Sequence, residues 1–142
     1  MTSIEPELVD RMIASAREIR AKAYAPYSGF HVGAALLARD AIFAAVNVEN
    51  ASYPMSVCAE RNAVAIAVAA GAASSARAVA VVTDAETPTP PCGGCRQVLY
   101  EFGGAGMAVI AESADGSIRT VWSLDELLPD AFGPDDLGRL QR

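Results

Sequence analysis

Leu8, Met12, Ala16 and Ile19 recur at helical spacing, and Val9 and Ile13 widen the same apolar stripe. Ser3 and Pro6 predict where this helix starts, and YAPYSG (Tyr24 to Gly29) breaks its period. Two β-like runs follow, FHVGAALLA from Phe30 and IFAAVNV from Ile42, separated by Arg39-Asp40-Ala41. They predict a hairpin in which Ala41 stands where a glycine would turn most easily. ENASYPMSV reads as loop, CAERNAVAIAVAAG as a helix closed by Gly71, and ARAVAVV as a buried strand. Beyond the proline-rich loop TDAETPTPP, CGGCRQVLYEFGG predicts a second helix ending at glycine. The strand MAVIAE, a turn at Asp115-Gly116 and the strand SIRTVW come next. Ser123 and Glu126 then form a capping-box pattern for a short last helix. The sum is an α/β fold, one five-stranded sheet flanked by helices.

At 142 residues, with no internal repeat and no linker, the chain reads as a single domain over residues 1–142. Apolar residues make up 52% of it, more than so short a chain hides easily, which points to an oligomer. The net charge of −6 argues against binding to a phosphate backbone, so the expected partner is a small molecule and not nucleic acid. MTSIEPEL carries neither the basic nor the apolar region of a secretory signal, and no run is long enough for a membrane span. An odd number of cysteines without an export signal suits a reducing cytoplasm, where clustered thiols bind metal or do chemistry.

Those cysteines carry the candidate chemistry. Cys58 opens CAER, while Cys92 and Cys95 lie three apart in PPCGGCRQ, each motif at the start of a predicted helix. A helix N-terminus favours thiolate over thiol, and thiolate is the form that ligates zinc. Three ligands on a tetrahedral ion leave a position for water, the mark of a catalytic site, and zinc brings that water's pKa toward neutrality. Glu60, two residues past Cys58, stands where a proton shuttle is needed. Three thiolates overload Zn²⁺ with negative charge, so Arg61 is the natural donor to a ligand sulfur, with Gln97 or Arg96 doing the same at the second motif. The competing structural reading recruits His31, the only histidine, as a fourth ligand that closes the site. That reading gives no reason for Glu60. Taken singly, Phe30, Tyr53 and Phe132 read as core or interface residues, and Asn47 and Glu49 as loop formers.

A first ligand followed by x-E, then P-C-x-x-C, is the pattern of zinc deaminases. With NVENASY, AYAPYSGFHVGAAL and LLPDAFG added, the chain resembles the small homotetrameric cytidine deaminases over nearly its whole length. The resemblance implies a three-layer α/β/α sandwich with a mixed sheet, and one Zn²⁺ per chain on Cys58, Cys92 and Cys95. It implies that Glu60 is the acid/base, that Asn47 and Glu49 bind the ribose hydroxyls, and that Phe30 packs on the pyrimidine. It further implies that the Ala59 backbone recognises the base and that Tyr53 and Phe132 enter sites of neighbouring subunits. The implied reaction is hydrolysis of cytidine or 2′-deoxycytidine at C4 with loss of ammonia, as in pyrimidine salvage, with no redox or nucleotide cofactor. A deaminase of another cytosine nucleoside, such as blasticidin S, is the alternative, and Asn47-Val48-Glu49 and Arg61 favour the first. Action on cytosine within a polynucleotide is weaker for want of a basic aromatic groove. A zinc-stabilised interaction domain is the non-enzymatic contender. Val46, Ala45 and Gly94 depart from that family's pattern, where cysteine, glycine and alanine are common.

Overall fold

The computed structural model describes residues 1–138. Helix α1 (Pro6–Arg20) is followed by the hairpin strands β1 (Val32–Ala38) and β2 (Ala41–Val46), then α2 (Ala59–Ala69) and β3 (Ala76–Thr83). Helix α3 (Gly93–Gly103), strands β4 (Ala108–Glu112) and β5 (Arg119–Ser123), and the short α4 (Leu124–Leu127) complete the order. The strands form one mixed sheet in the order β2-β1-β3-β4-β5, parallel between β3 and β4 and antiparallel elsewhere. The parallel pair is joined through α3, the long crossover that parallel strands require.

Period-two alternation along β1 and β3 divides the core between two faces. Ala35, Leu37, Ala78, Ala80 and Val82 meet Met12, Ile13 and Ala16 of α1. Ala34, Leu36, Val79 and Val81 meet Ala63, Val64 and Ala67 of α2 and Leu99 of α3 on the other. The result is three layers. Small side chains let the layers close: at Gly33 an added Cβ would sit 1.9 Å from the carbonyl oxygen of Ala16.

Several boundaries differ from the sequence reading. Pro6 opens α1, but Glu5 and not Ser3 stands at the N-cap, and no side chain caps it. The hairpin turn is Arg39-Asp40, since Ala41 already pairs with Ala38 in the ladder. The left-handed position falls on Arg39 (φ 53°), which the Gly71 carbonyl steadies by accepting from its guanidinium at 2.7 Å. Strand β2 stops at Val46 because the Asn47 side chain takes over the pairing. Its Oδ1 accepts from the Val32 N–H and its Nδ2 donates to the Phe30 carbonyl, both at 2.8 Å. The expected capping box holds, with Ser123 N–H donating to Glu126 Oε2 at 2.7 Å.

Register then gathers the site at one end of the sheet. Val32 at the start of β1 faces Thr83 at the end of β3, and Gly33 faces Val46 at the end of β2. The chain leaves β2 toward α2 and β3 toward α3 from that same end, so both helices begin there. The ends of strands at a change of direction in an α/β sheet are where ligands bind.

Candidate active site

Cys58 is the N-cap of α2 and Cys92 the N-cap of α3, with Cys95 one turn further along. All three sulfurs lie within 4.8 Å of one another, and Cys58 Sγ is 3.9 Å from Cys92 Sγ. That is far beyond a disulfide bond of about 2.05 Å. It fits tetrahedral zinc, whose bonds of about 2.3 Å to sulfur set neighbouring sulfurs about 3.8 Å apart. The donor set therefore suits a metal ion, and zinc by its chemistry. Cys58 and Cys95 differ in acidity. The Cys58 thiol is lowered to about 6, chiefly because Cys95 donates a hydrogen bond to it, while that donation and burial push Cys95 up.

Cys58 and Cys92 border a cleft of about 330 Å³ lined also by Phe30, Asn47, Glu49 and Glu60, among others, with Cys95 buried behind them. This volume falls in the range of small-molecule sites. Glu60 is only 5% exposed, in the first turn of α2, and faces this cleft and not bulk solvent. Burial, and then the charge of Cys58, push its carboxyl up to about 7. A group poised there both takes and gives a proton at neutral pH.

Residues 6–111 match the family model described as the cytidine and deoxycytidylate deaminase zinc-binding region. The chain belongs to this deaminase family. A cytidine deaminase of Sporosarcina psychrophila is 46% identical over 130 residues, which is 91% of this chain and 94% of that one. A cytidine deaminase of Mycobacterium tuberculosis is 43% identical over 129 residues, 90% of this chain and 92% of its own. Among solved structures, the cytidine deaminase from Burkholderia pseudomallei superposes with a TM-score of 0.82 at 46% identity, over 87% of this chain and 98% of that one.

The remaining residues singled out in this deaminase chain fall into three groups. Glu49 belongs to the cleft wall, and its Oε1 accepts the Tyr27 and Ser28 N–H groups at 3.0 and 3.1 Å. Hydrogen bonds from the Ser28 side chain and backbone, then from the Tyr27 backbone, hold its carboxyl below the usual range, so it stays ionised. Ala59 is wholly buried behind the wall. Tyr53 and Phe132 lie outside the cleft of their own chain and are 70% and 60% exposed. Tyr53 packs edge-on against Tyr27 at the cleft mouth, with ring centroids 5.7 Å apart.

Gln97 and Arg96, expected to tune the sulfurs, bond main-chain carbonyls. Gln97 Nε2 donates to the Phe132 carbonyl at 2.8 Å, and Arg96 donates to the carbonyls of Pro91 and Leu127 at 2.7 Å. Both turn toward the neighbouring chain segments because main-chain acceptors lie there. Arg61 is exposed, and its charge helps lower Cys58, but no hydrogen bond joins it to a sulfur among the described residues. His31 is no fourth ligand: its Nδ1 lies 2.8 Å from Asp84 Oδ2, and the metal-ligating cluster among the described residues holds cysteines alone.

Thr83 and Thr89 were not singled out by sequence, yet both line the cleft, their hydroxyl oxygens 3.1 Å apart. The alternation of β3 held the signal. Thr83 follows Val79 and Val81 on the face toward α2, at the strand end where the site forms. Gly94, between the paired cysteines, has open space where a Cβ would go. Gly94→Ala is expected to raise stability by about 0.5–1 kcal/mol through the restricted unfolded chain and better helix propensity, with zinc content unchanged. Thermal melts check this, and a lower melting temperature would contradict it.

Proposed function

We propose that this chain is a zinc-dependent aminohydrolase that converts cytidine and 2′-deoxycytidine to uridine and 2′-deoxyuridine with release of ammonia. The observation that carries the reading is a buried carboxyl, Glu60, facing a cleft beside three clustered thiols. Family membership and the full-length likeness to cytidine deaminases support it.

Cys58, Cys92 and Cys95 would hold the zinc, which supplies a Lewis acid that makes water acidic near neutral pH. Glu60 takes a proton from the attacking water, delivers it to N3 of the ring, and then relays a proton to the departing amine. Water adds at C4 and ammonia leaves, so atoms and charge balance without a redox partner. Glu49 Oε2 and the unused N–H of the Asn47 amide bind the ribose hydroxyls. Phe30 packs on the pyrimidine face, and the main chain at Ala59 reads the base edge. Arg61 offsets the negative charge of the thiolates through space.

A homotetramer with sites completed by neighbours suits the exposed apolar side chains. Tyr53 and Phe132 would enter those neighbouring sites, while Met55, Ile66 and Val68 would be covered on association. Gln97 would hold the Phe132 segment in place for that role. No helix among the described residues is long and apolar enough to cross a membrane. On this reading the chain is a cytoplasmic enzyme of pyrimidine salvage, folded as one domain.

The test is loss of cytidine ultraviolet absorbance by purified protein, with zinc counted per chain. Turnover with about one zinc per chain is the expected result. Turnover of blasticidin S but not of cytidine would move the substrate assignment, and zinc-loaded protein inert toward both would overturn the enzymatic reading.

A further inference from the structure

Phe30 reaches the cleft from beyond the sheet. The ladder between β1 and β3 begins at Val32 opposite Thr83, so His31 and Phe30 lie one and two residues outside it. Asn47 holds one edge of this tripeptide, at the Val32 N–H and the Phe30 carbonyl. The other edge is held from outside the cleft by Asp84. Its Oδ2 accepts the His31 N–H at 2.8 Å and lies 2.8 Å from His31 Nδ1, so one oxygen fixes both backbone and ring. Asp84 directly follows Thr83, a cleft residue whose carbonyl accepts from the Arg20 guanidinium, and Arg20 NH1 is 3.9 Å from Asp84 Oδ1. Asp84 does not itself line the cleft; with Arg17, Arg20 and His31 it forms the hollow beside the end of α1.

We propose that Asp84 is a positioning residue for nucleoside binding, its carboxylate extending the β1–β3 ladder by one rung so that Phe30 is fixed where the pyrimidine packs. The inference rests on the proposed function for the identity of the ligand. Asp84 touches no reacting atom. Its loss frees the His31 N–H and leaves Phe30 held by Asn47 and Ser28, so part of the ordering must then be supplied when the nucleoside binds. Packing on the ring face serves substrate and transition state alike, so the loss appears in KM and not in kcat.

The experiment compares zinc-loaded wild type, Asp84→Ala, Asp84→Asn and His31→Ala by cytidine kinetics and by calorimetric titration with uridine. Asp84→Ala is expected to raise KM and the uridine Kd together by roughly tenfold, the scale of one charge-assisted hydrogen bond, with kcat within about twofold. Asp84→Asn keeps an oxygen acceptor for the His31 N–H and restores most of the affinity. His31→Ala, which removes only the ring contact, stays near wild type. A lower melting temperature with unchanged KM and Kd would make Asp84 merely structural and overturn the proposal, as would failure of Asp84→Asn to recover binding. Should Asp84→Ala fail to fold, Asp84→Ser serves instead, because its hydroxyl stops one bond short of the lost oxygen, and it carries the same expected rise. Wild type that binds uridine without consuming cytidine would sink the deaminase reading, and the uridine titrations would still decide the role of Asp84.

Discussion

Glu60→Gln is expected to lower kcat for cytidine by about two to four orders of magnitude while each chain keeps its zinc. Gln matches Glu in shape, so the first turn of α2 and the buried packing around the side chain persist. What disappears is the ability to accept and release a proton at a carboxyl set near 7 by burial. The three sulfurs belong to other residues, and so the metal stays. Stopped assays of uridine formation, with zinc measured on the same sample, check both halves. A zinc-stabilised interaction domain makes the opposite forecast, in which the substitution changes nothing measurable. Loss of zinc alongside loss of turnover would place Glu60 in the ligand set and end its assignment as a proton relay.

Gly33→Ala is the second large effect, and it acts on stability. The added methyl would meet the Ala16 carbonyl oxygen at 1.9 Å, the Ala16 carbonyl carbon at 2.9 Å and the Arg20 nitrogen at 3.0 Å. All three are backbone atoms, so no rotamer change relieves the clash and α1 must move off the sheet. Overpacking of this kind costs about 3 kcal/mol at the upper end of the usual range. For a chain of this length that corresponds to a fall of about 10 °C in melting temperature. The same shift would disturb Arg20 and, through it, the Thr83 carbonyl at the cleft. An unchanged melting temperature would show that the helix yields at no cost and that Gly33 is not what sets the layer spacing.

Much of this protein was legible without coordinates because the relevant physics is local. Apolar spacing located the helices and strands, since 3.6- and 2-residue periods follow from backbone geometry alone. Cys92 and Cys95 could be read as a pair because i, i+3 spacing puts both sulfurs on one helix face, and Cys58 and Glu60 joined them through the resemblance to the zinc-deaminase motif. Other features depended on partners remote in sequence. Asp84 looked like an ordinary loop residue until the β1–β3 register set it against His31, 53 positions away. Gln97 and Arg96 sat beside a cysteine in sequence, yet spent their donors on carbonyls brought near by the C-terminal segment. The face of Thr83 was legible in the β3 alternation, but its place at the cleft followed from β1 starting opposite it.

Residue order alone carries the fold class, the donor set for a metal and the carboxyl near it. Packing adds that this carboxyl is buried and raised toward neutrality, that His31 pairs with Asp84 instead of closing the metal site, and that Gly33 sets the distance of α1 from the sheet. The reason is common to all three. Desolvation, hydrogen-bond partnering and steric contact depend on which atoms share a volume, and a periodic pattern along one strand or helix does not specify what packs against it.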